Sequence, residues 1–330
     1  MNISVLMPDN DVRSVFIPPH GDKILRSLGN VTYNSGDYGA SNLKDLVKDS
    51  HVCITGWGCP RLDESIIGQA TNLKLVAHTG GTVSPIVSDY MFEQGIKVIS
   101  GNLIYAESVA EGTIAYILAA LRKLPYYNKL VQEGNWSVTT SQSAGLLDKT
   151  VGLVGFGAIA RFLVPMLKVF RADVQVYDPF VESHIFEEYG VKRVNSLEEI
   201  FSGCEIVSLH LAQLPETFHL INADLLSMLP DGALLVNTAR GSTIDEKALA
   251  LELISGRINA LLDVFEEEPL PQDSPLRGLD NAILIPHMAG PTQDRRSNVI
   301  IALAKDISNL FKGLPLKHEI SKEYAVRMTT

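Results

Sequence analysis

The feature that most narrows the choice of fold is a rhythm: short runs rich in Val, Ile and Leu alternate with helical patterns over nearly all 330 residues. In the first third the runs are "NISVLMP", "VTYNS", "HVCITGW", "LKLVAHT" and "IKVISG", and segments such as "GDKILRSLG", "LKDLVKDS" and "PIVSDYMFEQG" separate them as helices. Parallel strands need a crossover of a dozen or more residues between them, and helices supply it. Near-continuous apolar strands also imply sheets covered on both faces. The class is therefore α/β. Single cores stop growing near about 250 to 300 residues, so a chain of this length is expected to hold two domains.

Five βα units make one small domain that closes near residue 101. "AESVAEGTIAYILAALRKLPYYNKLVQEGNW" follows, and its first part reads as a long helix of small and apolar residues, expected as a buried connector. Past the polar loop "SVTTSQSAGLLDK" the alternation resumes with "TVGLVGF", "DVQVYDP", "EIVSLHL", "ALLVNTA", "NALLDVF" and "AILIPH". Six strands suit a doubly wound nucleotide-binding sheet. The last helix, "SNVIIALAKDISNLFKG", can pack back on the first domain, which leaves the nucleotide domain inserted within the other.

Charge and leader signals remove several function classes. The balance of 38 acidic against 28 basic side chains, a formal charge of -10, gives no electrostatic hold on nucleic acid or an anionic membrane. "MNISVLMPDNDVR" does not read as a signal peptide, and no stretch is expected to span a bilayer. Cys53, Cys59 and Cys204 form no metal-type double pair, so no metal site is expected. Buried, reduced thiols in a cytoplasmic protein are the expectation.

Gly155-x-Gly157-x-x-Ala160 lies between an expected strand and an expected helix. Gly155 allows a tight turn, Gly157 lets a pyrophosphate approach the backbone, and the helix start offers unpaired N–H groups. Asp178, 18 residues beyond Ala160 at the end of the next strand, is placed to accept from the ribose hydroxyls. No arginine follows it in "DPFVES", so NAD is favoured over NADP. Farther on, "TARG" puts Arg240, "DVFEEEP" puts Asp263 and Glu268, and "IPHMAG" puts His287 at strand ends, which face the ligand crevice in an open α/β sheet. A guanidinium can clamp a carboxylate and polarise a carbonyl. Histidine can exchange a proton with the resulting alkoxide, and a carboxylate can orient the ring. Spacing alone does not separate Glu268 from Glu266 and Glu267.

These motifs, with "LKLVAHTGG", "VAEGTIAYIL" and "VSLHLAQLPETFHLINADLLSMLPDGALLVNTARG", resemble those of the D-isomer-specific 2-hydroxyacid dehydrogenases. The resemblance implies a flavodoxin-like substrate domain from residues 1–104 and 292–330, a Rossmann NAD-binding domain at 105–291 inserted into it, and an active site in the cleft. It also implies catalysis by Arg240, Glu268 and His287 on a small 2-keto or 2-hydroxy acid, in a homodimer joined through the nucleotide domain. Cofactor contacts implied are Gly155, Gly157, Ala158, Ile159, Asp178, Thr217, Thr238, Ala239, Asp263 and Gly290. Gly80, Gly81 and Thr82 would offer backbone donors to the substrate carboxylate, although Ser84-Pro85 replaces the acidic and amide pair common in that loop, and Trp57 is a candidate pocket wall. An NADH-sensing, corepressor-like protein with little turnover is the alternative. Formate-type oxidation is disfavoured, since such enzymes carry Gln where Glu268 stands.

Overall fold

The computed structural model describes residues 1–136 and 143–329, so residues 137–142 of the expected polar loop lie outside the described residues. The chain divides into two compact units, Met1–Tyr105 with Pro291–Thr330, and Ala106–Gly290.

The first unit has five parallel strands, β1 (Asn2–Val5), β2 (Asn30–Tyr33), β3 (Val52–Thr55), β4 (Leu75–His78) and β5 (Lys97–Ser100), in the order β2-β1-β3-β4-β5. Successive side chains of a strand point to opposite faces. Ile3, Val5, Val52, Ile54, Leu75 and Ala77 join one core, while Cys53, Val76 and Val98 join the other. The helix Arg296–Phe311 adds Val299, Ile300, Leu303 and Ile307 to the first of these cores, so the end of the chain completes what its start begins. On that helix Asp306, 1% exposed, accepts from the backbone N–H of His318 at 2.8 Å and pairs with its Nδ1 at 2.9 Å. This holds the strand-like tail against the open edge of β5, where Ile99 bridges Glu319. Of "PIVSDYMFEQG", only Asp89–Glu93 is helical, because Ser88 caps it by accepting from the Met91 N–H.

The second unit has seven parallel strands: β6 (Thr150–Val154), β7 (Asp173–Tyr177), β8 (Lys192–Arg193), β9 (Ile206–Leu209), β10 (Leu234–Asn237), β11 (Asn259–Leu262) and β12 (Ala282–Leu284). Their order is β12-β11-β10-β9-β6-β7-β8. The chain reverses its winding beside β6, and the loops after β6 and β9 part there, which is where open α/β sheets bind ligands. β8 was not expected: two exposed basic residues on an edge give no apolar run. The helix Asn102–Leu121 is long and apolar enough to cross a membrane by length and composition, which corrects the reading that no stretch qualifies. A core helix of a soluble protein passes the same test. Its residues Ala106, Ala110, Thr113 and Ile117 recur at helical spacing and are buried, with Ala110 and Ile117 among Phe156, Leu163 and Leu153. The rest of its surface is only partly covered, so the expected buried connector is buried on one face.

Two histidines tie stability to pH. His78 bonds through Nδ1 to the Thr55 hydroxyl at 2.9 Å, and His210, just past β9, bonds through Nε2 to the Ser208 hydroxyl at 3.1 Å. Burial pushes each pKa down to about 4. An unfolded chain takes up protons at these rings near 6.5, the folded chain only near 4, so their contribution is complete above 6.5 and is lost as pH falls between those values. Each ring should remove about 1.4 kcal/mol per pH unit in that window. In His78→Gln the urea midpoint should fall less steeply from pH 6.5 to 4 than in the parent. Equal slopes would show that His78 is not held neutral.

Candidate active site

The glycine loop after β6 is built for close approach. Gly155 has φ 94°, a region that disfavours side chains, and a Cβ there would lie 2.7 Å from the His210 carbonyl oxygen. Gly157 precedes the helix Ala158–Val169, and a Cβ on it would meet nothing within 4 Å, so the backbone there borders open space. The first N–H groups of a helix lack intrahelical partners. Asp178, beyond β7, accepts from Phe156 N–H at 2.7 Å and Phe180 N–H at 2.9 Å. Those bonds fix the carboxylate beside the loop, and two oxygens carry lone pairs for more than two donors. Close by, His210 Nδ1 is buried with no hydrogen-bond partner among the described residues. A glycine cradle, a fixed carboxylate and an unused buried nitrogen fit a polar, anionic dinucleotide.

The end of β10 aims Arg240. Asn237, fully buried, donates to the Arg240 carbonyl at 2.9 Å and accepts from Ala239 N–H at 3.0 Å, closing the turn. Gly241 then passes so near the next strand's loop that a Cβ would fall 1.8 Å from the Phe265 carbonyl carbon. Only glycine allows that passage. Burial lowers the Arg240 pKa, and the Glu268 charge opposes the shift. Guanidinium remains charged at any working pH, so the result is a poorly solvated cation in want of an anion.

His287 Nδ1 lies 2.7 Å from Glu268 Oε2, and Glu268 Oε1 accepts from Phe265 N–H at 3.1 Å. The structure thus separates what spacing did not: Glu268 serves His287, Glu266 pairs with His219 Nε2, and Glu267 is exposed. Arg240, Glu268, Glu266 and His287 line one cavity of about 260 Å³. His287 itself has φ 52°. Asp263 makes that possible, accepting from Met288 N–H at 2.8 Å and Ala289 N–H at 2.9 Å while its own carbonyl takes the His287 N–H at 2.8 Å. Burial raises the Asp263 pKa against those two bonds. Asp263 is 1% exposed, so its evident task is to position the histidine loop.

Other expected residues have local partners. Thr217 donates to Ala212 O at 2.7 Å and accepts from Leu214 N–H at 2.9 Å, and Thr238 bonds the Thr113 hydroxyl at 3.1 Å. Ala239 is buried, Ala158, Ile159 and Gly290 partly so. Gly80, Gly81, Thr82 and Trp57 belong to the first unit. There Thr82 donates to Thr329 O at 2.7 Å, and Trp57, 47% exposed, meets Phe16 and Tyr105 edge-on with Arg296 over its ring. Trp57 is therefore not an interior packing residue. Among the described residues no cluster suited to a metal ion occurs. Sequence reading missed Asn237, His210, His219 and Glu246, whose roles depend on neighbours distant in the chain.

The D-isomer specific 2-hydroxyacid dehydrogenase, NAD binding domain, is the family whose model matches residues 114–289. A D-3-phosphoglycerate dehydrogenase of Methanocaldococcus jannaschii is 33% identical over 299 residues, 90% of this chain and 56% of that protein. A hydroxypyruvate reductase of Thermotoga maritima is 35% identical over 259 residues, 77% of this chain and 82% of that protein. The chain spans about half the length of the phosphoglycerate dehydrogenases it matches. A crystal structure of a phosphoglycerate oxidoreductase from Rhizobium etli, 23% identical, shares the fold with a TM-score of 0.83 over 98% of this chain and 99% of that one.

Replacing Asp263 by Ala would leave two N–H groups without their acceptor, at a cost of about 2–4 kcal/mol. The variant should melt several degrees lower, and amide exchange at Met288 and Ala289 should accelerate. Unchanged exchange at both would show that Asp263 does not hold this loop.

Proposed function

This chain belongs to the D-isomer-specific 2-hydroxyacid dehydrogenase family, and we propose that it interconverts a D-2-hydroxy acid and its 2-keto acid with NAD(H). The observation that carries the proposal is the His287–Glu268 pair at 2.7 Å on the wall of the cavity that Arg240 also lines.

The pyrophosphate is assigned to the Gly155–Gly157 loop with the N–H groups of Ala158 and Ile159, and the ribose to Asp178. Bound there, the nicotinamide supplies a hydride for reduction and accepts one in oxidation. The chain's own residues do the rest. Arg240 takes the substrate carboxylate and draws electron density toward the adjacent carbonyl oxygen. Glu268 occupies Nδ1 of His287, which leaves Nε2 to give a proton to that oxygen, or to remove one from the hydroxyl in reverse. Because Phe265 N–H anchors the other Glu268 oxygen, the carboxylate cannot turn away from the ring. Gly80, Gly81, Thr82 and Trp57 stay assigned to the substrate on the resemblance, with main-chain donors as the loop's contribution. NAD over NADP, and a homodimer through the nucleotide domain, belong to the same proposal.

Oxidation of NADH followed at 340 nm against a panel of 2-keto acids tests this. Arg240→Ala should lose both substrate binding and turnover, and His287→Ala should lose roughly 10²–10⁴-fold in kcat. Glu268→Gln should lower kcat with NADH affinity intact. Near-parent rates in the arginine or histidine variant would sink the assignment.

A further inference from the structure

Of the acidic run Glu266–Glu268, the proposed reaction uses only Glu268, yet Glu266 is held just as firmly. Its N–H donates to Glu246 Oε1 at 2.6 Å, and its carboxylate pairs with Nε2 of His219. His219 has φ 49°, its ring lies flat on Phe218 with centroids 4.0 Å apart, and its N–H donates to Ser242 O at 2.9 Å. Anchors from separate chain segments therefore hold this residue, Glu246 its main chain and His219 its carboxylate. That carboxylate lines the same cavity as Arg240, Glu268 and His287. An ordinary solvated glutamate has no such support.

Charge decides what this wall admits. Among the described residues that line the cavity, Arg240 is the one arginine or lysine, and it is set against two carboxylates, Glu266 and Glu268. Glu246 stands behind them, its pKa raised by burial and by the charges of Glu266 and Glu268. His219 and His287 are the other titratable groups here, each engaged with one of those carboxylates. A single guanidinium can clamp a single carboxylate of a ligand. A phosphate ester would add about -1.5 to -2 charge and meet carboxylates with no second cation on this wall to receive it. A hydroxyl on the substrate's tail would instead find in Glu266 a fixed acceptor.

Resting on the reductase reading, we infer that Glu266, positioned by His219, is a specificity-determining residue: it admits a 2-keto acid with an uncharged, hydrogen-bond-donating tail and turns away the corresponding phosphate ester. The full chain is assayed for NADH oxidation with hydroxypyruvate and with its 3-phosphate ester. The parent should favour hydroxypyruvate in kcat/KM by on the order of 100-fold. Glu266→Gln, which keeps the shape and removes the charge, should narrow that ratio by at least about tenfold, and Glu266→Asp should keep most of the preference. A parent that prefers the phosphate ester, or a ratio unmoved in Glu266→Gln, overturns the inference while the reductase reading stands. Turnover of neither compound overturns the inference, and only failure on the whole 2-keto acid panel overturns the reductase reading with it.

Discussion

The site depends on a carboxylate that is nearly out of reach of solvent. His287 has a backbone conformation that costs a non-glycine residue about 1–3 kcal/mol, and a short loop has no means of its own to sustain it. Asp263 supplies the means, since it takes the two N–H groups that follow the histidine, and its carbonyl takes the histidine's own. The same burial that raises the Asp263 pKa makes the bonds hard to replace with water. With the loop fixed, the imidazole meets Glu268 with Nε2 left over. A relaxed loop would point the ring elsewhere and leave Glu268 with nothing to orient.

Arg240 reaches the same place by a different device. Its turn is closed by the fully buried Asn237, and the following glycine lets the chain press against Phe265 where any Cβ would collide. Phe265 N–H in turn anchors Glu268. The arginine's turn and the acid's loop thus meet through the close main-chain approach at Gly241 and through side-chain bonds to backbone from Asn237 and Glu268. Parallel pairing of β9, β10, β11 and β12 brings these loops to one edge of the sheet. The topology provides the neighbourhood, and the glycine and asparagine set the aim.

Much of this was legible because it is local. Strands of four or five apolar residues, a glycine loop followed by an acidic strand end, and Arg, Glu and His at strand ends each announce themselves within a few positions. β8 was silent because Lys192–Arg193 is an exposed edge that buries nothing. Asp306 with His318 was equally silent, since an acid inside an amphipathic helix reads as a solvated residue until a tail 12 positions away folds over it. The three glutamates show the limit most clearly. Their backbone spacing is uniform, and what distinguishes Glu266 from Glu268 is His219 against His287, partners 47 and 19 positions away.

Several of the costs carried by the second unit stand near one edge of its sheet. There stand a partly buried arginine whose pKa burial has lowered, a left-handed histidine, a buried carboxylate with a raised pKa and a neutral histidine with an unused nitrogen. None lies among the apolar residues that pack the two faces of the sheet, and only the carboxylate has its protein partners in place. A chain selected for stability alone would replace them with satisfied or apolar groups. Their concentration around one cavity and one glycine loop has a physical reading: Arg240, His287 and His210 are poised for ligand atoms, and Asp263 holds the histidine in place for one. Among the described residues, Arg240 has Glu268 near it but no carboxylate in contact, His287 Nε2 is left over once Glu268 takes Nδ1, and His210 Nδ1 has no hydrogen-bond partner. Ligand binding that supplies these partners would stabilise the second unit more than its contact area alone suggests, because it relieves costs already present in the fold.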